Sequence, residues 1–283
     1  MFDEARHLMG YNSLPDGAGQ VLLTPKPGGA PPAEGGKALK VLPRPKASAL
    51  VSEAAKESYW HECAEKSERR ERSMVATLRR LFAKQKKEAL TNLDDGAGLE
   101  VSLVNASAFK EAYMKEMLRP SSAVLLEAID DGMRLVAPER PKQSPEFVLS
   151  AAALRWMKTR MLWAATEVGE ETAKLLANEL ALGFGAGESI SAIAGRVENV
   201  FKFNNDVRAT RIARTEVITA SNWGAEEGYR ETGLVETIEW FAALDERLCP
   251  ICDDLHGEEF SLNAGYRPPA HVNCRCIILP VVE

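Results

Sequence analysis

The sequence has no long apolar run, which excludes the simplest kind of membrane protein. Because no stretch of about 18 consecutive apolar residues occurs, we expect no transmembrane helix. Residues 1–10 lack an apolar core of the length a secretory signal needs, so we expect an intracellular setting that disfavours stable disulfides. The net charge of −6 does not mark the whole molecule as a nucleic-acid binder. What remains is an ordinary soluble composition, with room for one large or two modest domains.

Cysteine is also scarce, and its distribution is uneven. The chain has five cysteines, of which Cys63 stands alone in a charged segment and four lie near the C-terminus. Cys249 and Cys252 form a C-x2-C pair, and an H-x2-C-x-C group begins about 20 residues later at His271. Such spacing is typical of tetrahedral zinc sites, because a two-residue gap lets a turn aim both ligands at one point. A disulfide or buried free thiols are the alternatives.

This cysteine and histidine set offers more side chains than the four places of a tetrahedral site. The set that we favour, because each pair has a two-residue gap, is Cys249, Cys252, His271 and Cys274. Cys276 in place of His271 is the main alternative, and His256 is a weaker one. No side chain is left to mark an open catalytic position, so the sequence predicts a closed, structural zinc site.

The chain divides by composition into three parts. Residues 1–48 contain seven glycines and seven prolines and few large apolar side chains, which predicts a disordered or extended arm. Residues 49–137 read as a long helix and a helical region. Residues 138–283 read as one further domain, with a zinc module at about residues 235–283 whose core is thin enough to need a metal.

Most of the ordered chain has helical periodicity. No Pro or Gly interrupts residues 47–90, which predicts one long helix. Its charged middle at Glu65–Arg72 is expected to be exposed or to bridge between contacts. For its basic end a solvated face is favoured, and contact with DNA phosphates or an acidic partner is the alternative. Further helices are expected at 107–118, from Pro120 to about 136, from Ser144-Pro145-Glu146 onward, after an N-cap at Ser189, and at 206–231.

Alternating apolar residues at the C-terminus predict strands at 237–242, 258–262 and 275–282. The expected fold is therefore mostly α, with a helical body, a long exposed N-terminal helix and a small C-terminal α/β module stabilised by zinc.

Glu216 is a carboxylate on an otherwise small and apolar helix face. A buried carboxylate needs a partner. The arginines close to it in sequence lie mainly on other helix faces, so we expect the partner to come from elsewhere in the fold. A structural ion pair is favoured, and a catalytic glutamate is the alternative.

The order of these motifs resembles the phage Mu F-like head-morphogenesis family, the minor capsid proteins of tailed bacteriophages. The resemblance covers roughly residues 190–280 and does not extend to residues 1–150. The residues that carry it are Ile212-Ala213-Arg214-Thr215-Glu216, Trp240, Asp245-Glu246-Arg247, Cys249-Pro250-Ile251-Cys252, Gly257, Pro268-Pro269, His271 and Cys274-Arg275-Cys276.

The resemblance implies a non-enzymatic virion component. Such a protein would sit inside the capsid, assemble in the host cytoplasm and associate with the portal and other capsid proteins. It would act in head assembly, DNA packaging or ejection, with possible contact to packaged DNA and none to membranes.

Two other functions are set against this one. A distant likeness to ADP-ribosyltransferases rests on Arg214 and Glu216, but these residues lie about 200° apart around a helix and would not face one pocket. A DNA-binding zinc module is opposed by the acidic residues around the first cysteine pair, since they repel phosphates.

Overall fold

The computed structural model describes residue 50 and residues 52–94, 103–139 and 149–282. The predicted arm at 1–48 lies outside the described residues. Of the described residues, 73 % are helical, which confirms the mostly α fold. No helix in this part of the chain is both long and apolar enough to cross a membrane.

Long helices precede a small sheet in chain order. The described elements are α1 (Glu53–Asp94), α2 (Ala106–Val136), α3 (Ala151–Gly185), α4 (Ile190–Phe203), a π-helical turn (Asn204–Arg208), α5 (Ala209–Thr232), β1 (Thr237–Phe241), α6 (Pro250–Leu255), β2 (Glu259–Ser261) and β3 (Ile277–Val281).

Serine side chains start two of the helices. The Ser189 hydroxyl accepts the amide of Ala192 at 3.2 Å, as the predicted N-cap of α4 requires. Helix α3 begins later than expected: Leu149 and Ser150 are not helical, and the Ser150 hydroxyl caps the helix. The predicted cap at Ser144-Pro145-Glu146 lies outside the described residues.

Pro120 does not divide α2, contrary to the prediction of two helices. The proline lies inside one continuous helix. The buried positions continue in helical phase on both sides of it, at Tyr113, Met117, Val124 and Leu125. Packing of this unbroken stripe therefore outweighs the lost backbone hydrogen bond and the steric cost of an internal proline.

The chain forms two compact units. One, here called the helical unit, comprises the described parts of Ser67–Ala123 and Val148–Val217; the other, the sheet unit, comprises those of Leu14–Lys66, Val124–Phe147 and Ile218–Glu283. The predicted division at residues 48 and 137 stays a prediction.

The charged middle of α1 is partly buried and is not exposed to solvent all round. Within the helical unit Glu71 is buried, and its carboxylate lies 3.1 Å from Nε of Arg214 on α5. A buried carboxylate is tolerated here because a guanidinium pairs with it.

The sheet unit is built on three antiparallel strands in the order β2-β1-β3. The predicted strands are confirmed, and the central strand β1 is covered on both faces. Phe241 packs with Trp60 and Leu279, whereas Trp240 packs with the cysteines. Strand β1 thus supports the cysteine loops through the packing of Trp240.

Side chains of α5 close the outer edge of β3, where no further strand of the described residues pairs. The amide group of Asn222 donates to the Cys276 carbonyl at 3.1 Å and accepts from the Ile278 amide at 2.9 Å. The hydroxyl of Tyr229 donates to the Ile278 carbonyl at 3.1 Å. At the next edge position Pro280 has no N–H to satisfy. Asn222 therefore substitutes for a strand and protects the edge.

Glycines let α2 and α5 approach closely within the sheet unit. A Cβ placed on Gly228 would lie 2.4 Å from the Ile129 carbonyl oxygen, and one on Gly224 would lie 2.6 Å from the Ala128 Cβ. Backbone contact at this distance leaves no room for a side chain.

Candidate metal centre

The first cysteine pair is held at the start of a short helix. Cys249 is the N-cap of α6, Pro250 follows at its first position, and the Cys249 sulfur accepts the amide of Cys252 at 3.4 Å. This turn directs both sulfurs toward His271. Its Nε2 lies 3.0 Å from Cys249 Sγ and 3.1 Å from Cys252 Sγ.

A backbone hydrogen bond fixes the tautomer of His271. Its Nδ1 lies 2.7 Å from the Val272 carbonyl oxygen. Because a carbonyl oxygen only accepts, Nδ1 carries the proton and Nε2 presents its lone pair to the two sulfurs. This is the arrangement that metal-binding histidines usually have.

The second cysteine group approaches from the loop before β3. Cys274 Sγ lies 3.8 Å from Cys252 Sγ, and both side chains are buried with that of Cys276. Asn273, which directly precedes Cys274, has a φ of 56°. This conformation turns the chain sharply between His271 and Cys274.

The candidate ligand atoms form two sets of three within the described part of the chain. Cys249, Cys252 and His271 form one set, and Cys252, Cys274 and Cys276 form the other; within each set all atoms lie within 4.8 Å of one another. The structure thus brings together all the favoured residues and the alternative Cys276, with Cys252 common to both sets.

The weaker alternative His256 and the isolated Cys63, which was not expected to be a ligand, lie in neither set. The ring of His256 is half-buried, not a surface side chain, and its Nδ1 accepts the amide of Ala242 at 3.3 Å. Cys63 is half-buried against the core that includes Trp60. Burial raises the pKa of the Cys63 thiol to about 12, so it stays protonated at neutral pH.

The separations fit a tetrahedral metal ion with sulfur and nitrogen ligands. Zn–S bonds of about 2.3 Å and Zn–N bonds of about 2.0 Å imply S···S separations of about 3.8 Å and S···N separations of about 3.5 Å. Cys252 Sγ to Cys274 Sγ matches at 3.8 Å, whereas the 3.0 and 3.1 Å contacts of His271 are shorter. A withdrawal of the imidazole by about half an ångström would accommodate the ion.

The packed thiols also favour a bound cation electrostatically. Hydrogen bonds from Cys252 and Cys274 lower the pKa of the Cys276 thiol to about 3. Hydrogen bonds with Cys274 and, to a smaller extent, with Cys276 raise the pKa of the Cys252 thiol well above its usual range. Cys276 is therefore the thiol of this group that ionises most readily, and a divalent cation would favour ionisation of the others.

Trp240 adds a buried donor beside this group. Its indole Nε1–H is buried without a hydrogen-bond acceptor at normal distance, and its position near Cys276 favours the thiolate. An N–H directed at a cysteine sulfur is a common outer contact of metal thiolates.

Three side chains from distant parts of the sequence hold the Cys274-Arg275-Cys276 segment. The indole N–H of Trp60 donates to the Arg275 carbonyl at 2.8 Å, and Asn222 donates to the Cys276 carbonyl. The guanidinium of Arg275 forms a bidentate pair with Asp245, with one contact at 2.5 Å. Nothing in the local sequence pattern marks Trp60 or Asn222 for this role, because both act through long-range contacts.

Glu216 belongs to an ion pair in the helical unit. Arg160 of α3 donates from Nε at 2.9 Å and from one terminal nitrogen at 2.6 Å to the two carboxylate oxygens. The same guanidinium lies 4.2 Å above the ring of Trp163. The partner comes from elsewhere in the fold, as expected, and the geometry is that of a structural bidentate pair.

The fold and the cluster define a class: a mostly helical protein whose small C-terminal sheet carries a cysteine and histidine group able to hold a metal ion. Residues 174–279 match the family model described as Phage Mu protein F like protein. Over these residues the match confirms the resemblance to the phage Mu F-like family that the sequence motifs predicted. That family is one of bacteriophage head-morphogenesis proteins.

One curated relative comes from Bacillus subtilis (strain 168). It is described as "Uncharacterized protein YqbB" and is 23 % identical to this chain over 192 residues. The match covers 61 % of this chain and 59 % of that protein, so this chain spans less than two thirds of the relative's length. No solved structure matches the chain significantly.

Proposed function

We propose that the protein is a minor capsid protein that associates with the portal inside a bacteriophage head and contributes to head assembly, DNA packaging or ejection. The family match over residues 174–279 is the observation that supports this proposal. Assembly in the host cytoplasm precedes its incorporation into the virion.

Co-expression with the portal protein of the same phage tests this role. An affinity-tagged full-length chain should co-purify the portal protein, and the portal protein of an unrelated phage, expressed in the same way, serves as the specificity control. Loss of the portal from the purified complex at ordinary salt, or equal recovery of the control, contradicts portal association.

In this proposal a zinc ion stabilises the sheet unit. Cys249, Cys252, His271 and Cys274 would hold it, with Cys276 as the alternative to His271. The support is that the sulfurs of Cys249 and Cys252 lie 3.0 and 3.1 Å from Nε2 of His271, whose lone pair faces them. A bound zinc ion would link the α6 turn to the loop before β3 and so join segments that the small sheet alone holds weakly.

Metal analysis of the purified protein tests the site directly. We expect about one zinc ion per chain, lost in Cys252→Ser because Cys252 belongs to both ligand sets. The matched control is Cys63→Ser, which removes a half-buried thiol outside both sets and should keep the metal. Zinc-free wild type prepared under reducing conditions without chelator contradicts a zinc site.

Cobalt substitution distinguishes His271 from Cys276 as a ligand. The visible and charge-transfer bands of Co²⁺ differ between three-sulfur and four-sulfur coordination. If His271 is a ligand, His271→Ala changes the spectrum and Cys276→Ser leaves it nearly unchanged. The reverse pattern assigns the place to Cys276.

No specific observation favours the two alternative functions. Arg214 and Glu216, the basis of the transferase likeness, each hold a different ion-pair partner. The surface beside the first cysteine pair exposes Asp253 and Asp254, which disfavours nucleic acid at the metal centre.

A further inference from the structure

Helix α1 exposes a continuous basic face within the helical unit. Six basic residues between positions 69 and 87 are exposed to solvent: Arg69, Arg72, Arg79, Arg80, Lys84 and Lys87. At 100° per residue, all six fall within an arc of about 140° around the helix. They define what we call the basic face of α1.

Among the described residues, one acidic side chain pairs with this face, Glu116 with Lys84. Helix α1 has two acidic residues between positions 69 and 91, and both are turned to other uses. Glu71 is buried against Arg214, and Glu88 accepts the amide of Asn105. The basic face of α1 is thus positive although the net charge of the chain is −6. The positive charge is therefore concentrated locally and is not a property of the overall composition.

Most of the six charges remain available. Arg69, Arg72 and Lys87 have no ion pair with any described residue, and Lys84 pairs with Glu116. Arg79 and Arg80 donate to neutral oxygens, of the Asn205 backbone and the Thr77 side chain, and so keep their charge.

The residues between the charges point to the kind of partner. The exposed positions that interrupt the basic side chains are small, namely Ser73, Ala76 and Ala83. Protein interfaces usually centre on aromatic or large apolar anchors, and single-stranded nucleic acids are held by stacking on aromatic rings. The basic face of α1 offers neither along its exposed arc. Its length, about 27 Å from residue 69 to residue 87, is comparable to about eight base pairs of duplex.

We propose that the basic face of α1 binds the phosphate backbone of duplex DNA without reading its sequence. Its small side chains would let the helix approach the backbone closely, and its guanidinium and ammonium groups would replace condensed counterions. This inference rests on the charges of α1, and neither the metal nor the portal is needed for it.

Salt dependence of binding to a short labelled duplex tests the proposal with the full-length chain. The variant Arg69→Gln/Arg72→Gln/Lys87→Gln removes three unpaired charges. Each lost phosphate contact reduces the slope of log K against log salt by about 0.9, so the three substitutions should reduce it by about 2.7. Affinity at low salt should fall at least tenfold.

The matched control removes the same charge elsewhere on the helical unit. Lys115, Arg155 and Lys158 are exposed and unpaired with described residues, so Lys115→Gln/Arg155→Gln/Lys158→Gln should keep the wild-type slope. Unchanged melting temperatures would show that both variants are folded.

Three results would overturn the proposal. These are equal losses in the two triple variants, tighter binding of a single strand than of the duplex, and competition by polyglutamate as effective as that by unlabelled duplex. The last would instead identify an acidic protein as the partner. Since the assay contains no portal or capsid protein, its failure leaves the proposed head role untouched.

Discussion

Asn222 provides the sharpest test of how the sheet unit is held together. Its side-chain amide pairs with the backbone of β3 on both sides of Ile277, as a neighbouring strand would. The residue is 2 % exposed, so water cannot replace it without rearrangement. Substitution by leucine keeps the approximate volume but removes the donor and the acceptor together.

The expected cost follows from the groups left behind. In Asn222→Leu the Ile278 N–H and the Cys276 carbonyl become unpaired in a buried setting, at about 1–3 kcal/mol for each group. Allowing for partial relaxation, we expect a loss of about 2–4 kcal/mol in the free energy of unfolding. The third bond of this side chain, to the Ile218 carbonyl, adds little, because that oxygen lies within a helix.

Urea unfolding followed by tryptophan fluorescence measures this loss, since Trp60, Trp223 and Trp240 lie in the sheet unit. Asn199→Leu is the control, because Asn199 is an exposed helical asparagine and its replacement should change stability by less than about 0.5 kcal/mol. If Asn222→Leu unfolds at the same urea concentration as the control, the edge-pairing argument is refuted. A second readout is zinc affinity, which should fall about 10–100-fold if Asn222 positions the Cys274-Arg275-Cys276 segment.

Three further predictions concern an ion pair, a close helix contact and a buried carboxylate. Hydrogen bonding from Arg275 lowers the pKa of Asp245 from 3.8 to about 2, so the pair stabilises the fold above pH 4 and is lost as the pH falls toward 2. Asp245→Asn should therefore cost about 1–2 kcal/mol at pH 7, after discount for partial exposure, and progressively less below pH 4, as measured by urea unfolding at each pH. Gly228→Ala should destabilise by about 2 kcal/mol or more in thermal unfolding, because its Cβ would meet a backbone oxygen at 2.4 Å. Glu216→Gln should cost about 2–3 kcal/mol in urea unfolding, because it leaves a partly buried guanidinium without its countercharge.

Each of these outcomes has a clear opposite. A pH-independent effect of Asp245→Asn would contradict the assigned pKa. The control for Gly228 is Gly195→Ala on α4, where a Cβ meets nothing within 4 Å and stability should rise by about 0.5–1 kcal/mol. An unchanged stability of Glu216→Gln would show that its ion pair contributes nothing.

Local sequence patterns were sufficient for most of the elements and for the grouping of the cysteine and histidine side chains. Ser189 capped a helix as predicted, because a hydroxyl satisfies a free amide three residues on. The C-x2-C and H-x2-C-x-C spacings brought five side chains together, because short turns constrain where ligands can point. Such effects act over a few residues and can be read from the chain alone.

Only the tertiary structure decided how these pieces are held. Proline ends many helices, but α2 continues through Pro120 because a continuous stripe of its residues is buried. Arg160 was found as the partner of Glu216, and Asn222 as the edge partner of β3, across separations that no local pattern spans. The physical reason is that burial sets the energy of a polar group or a proline, and burial is a property of the folded chain as a whole.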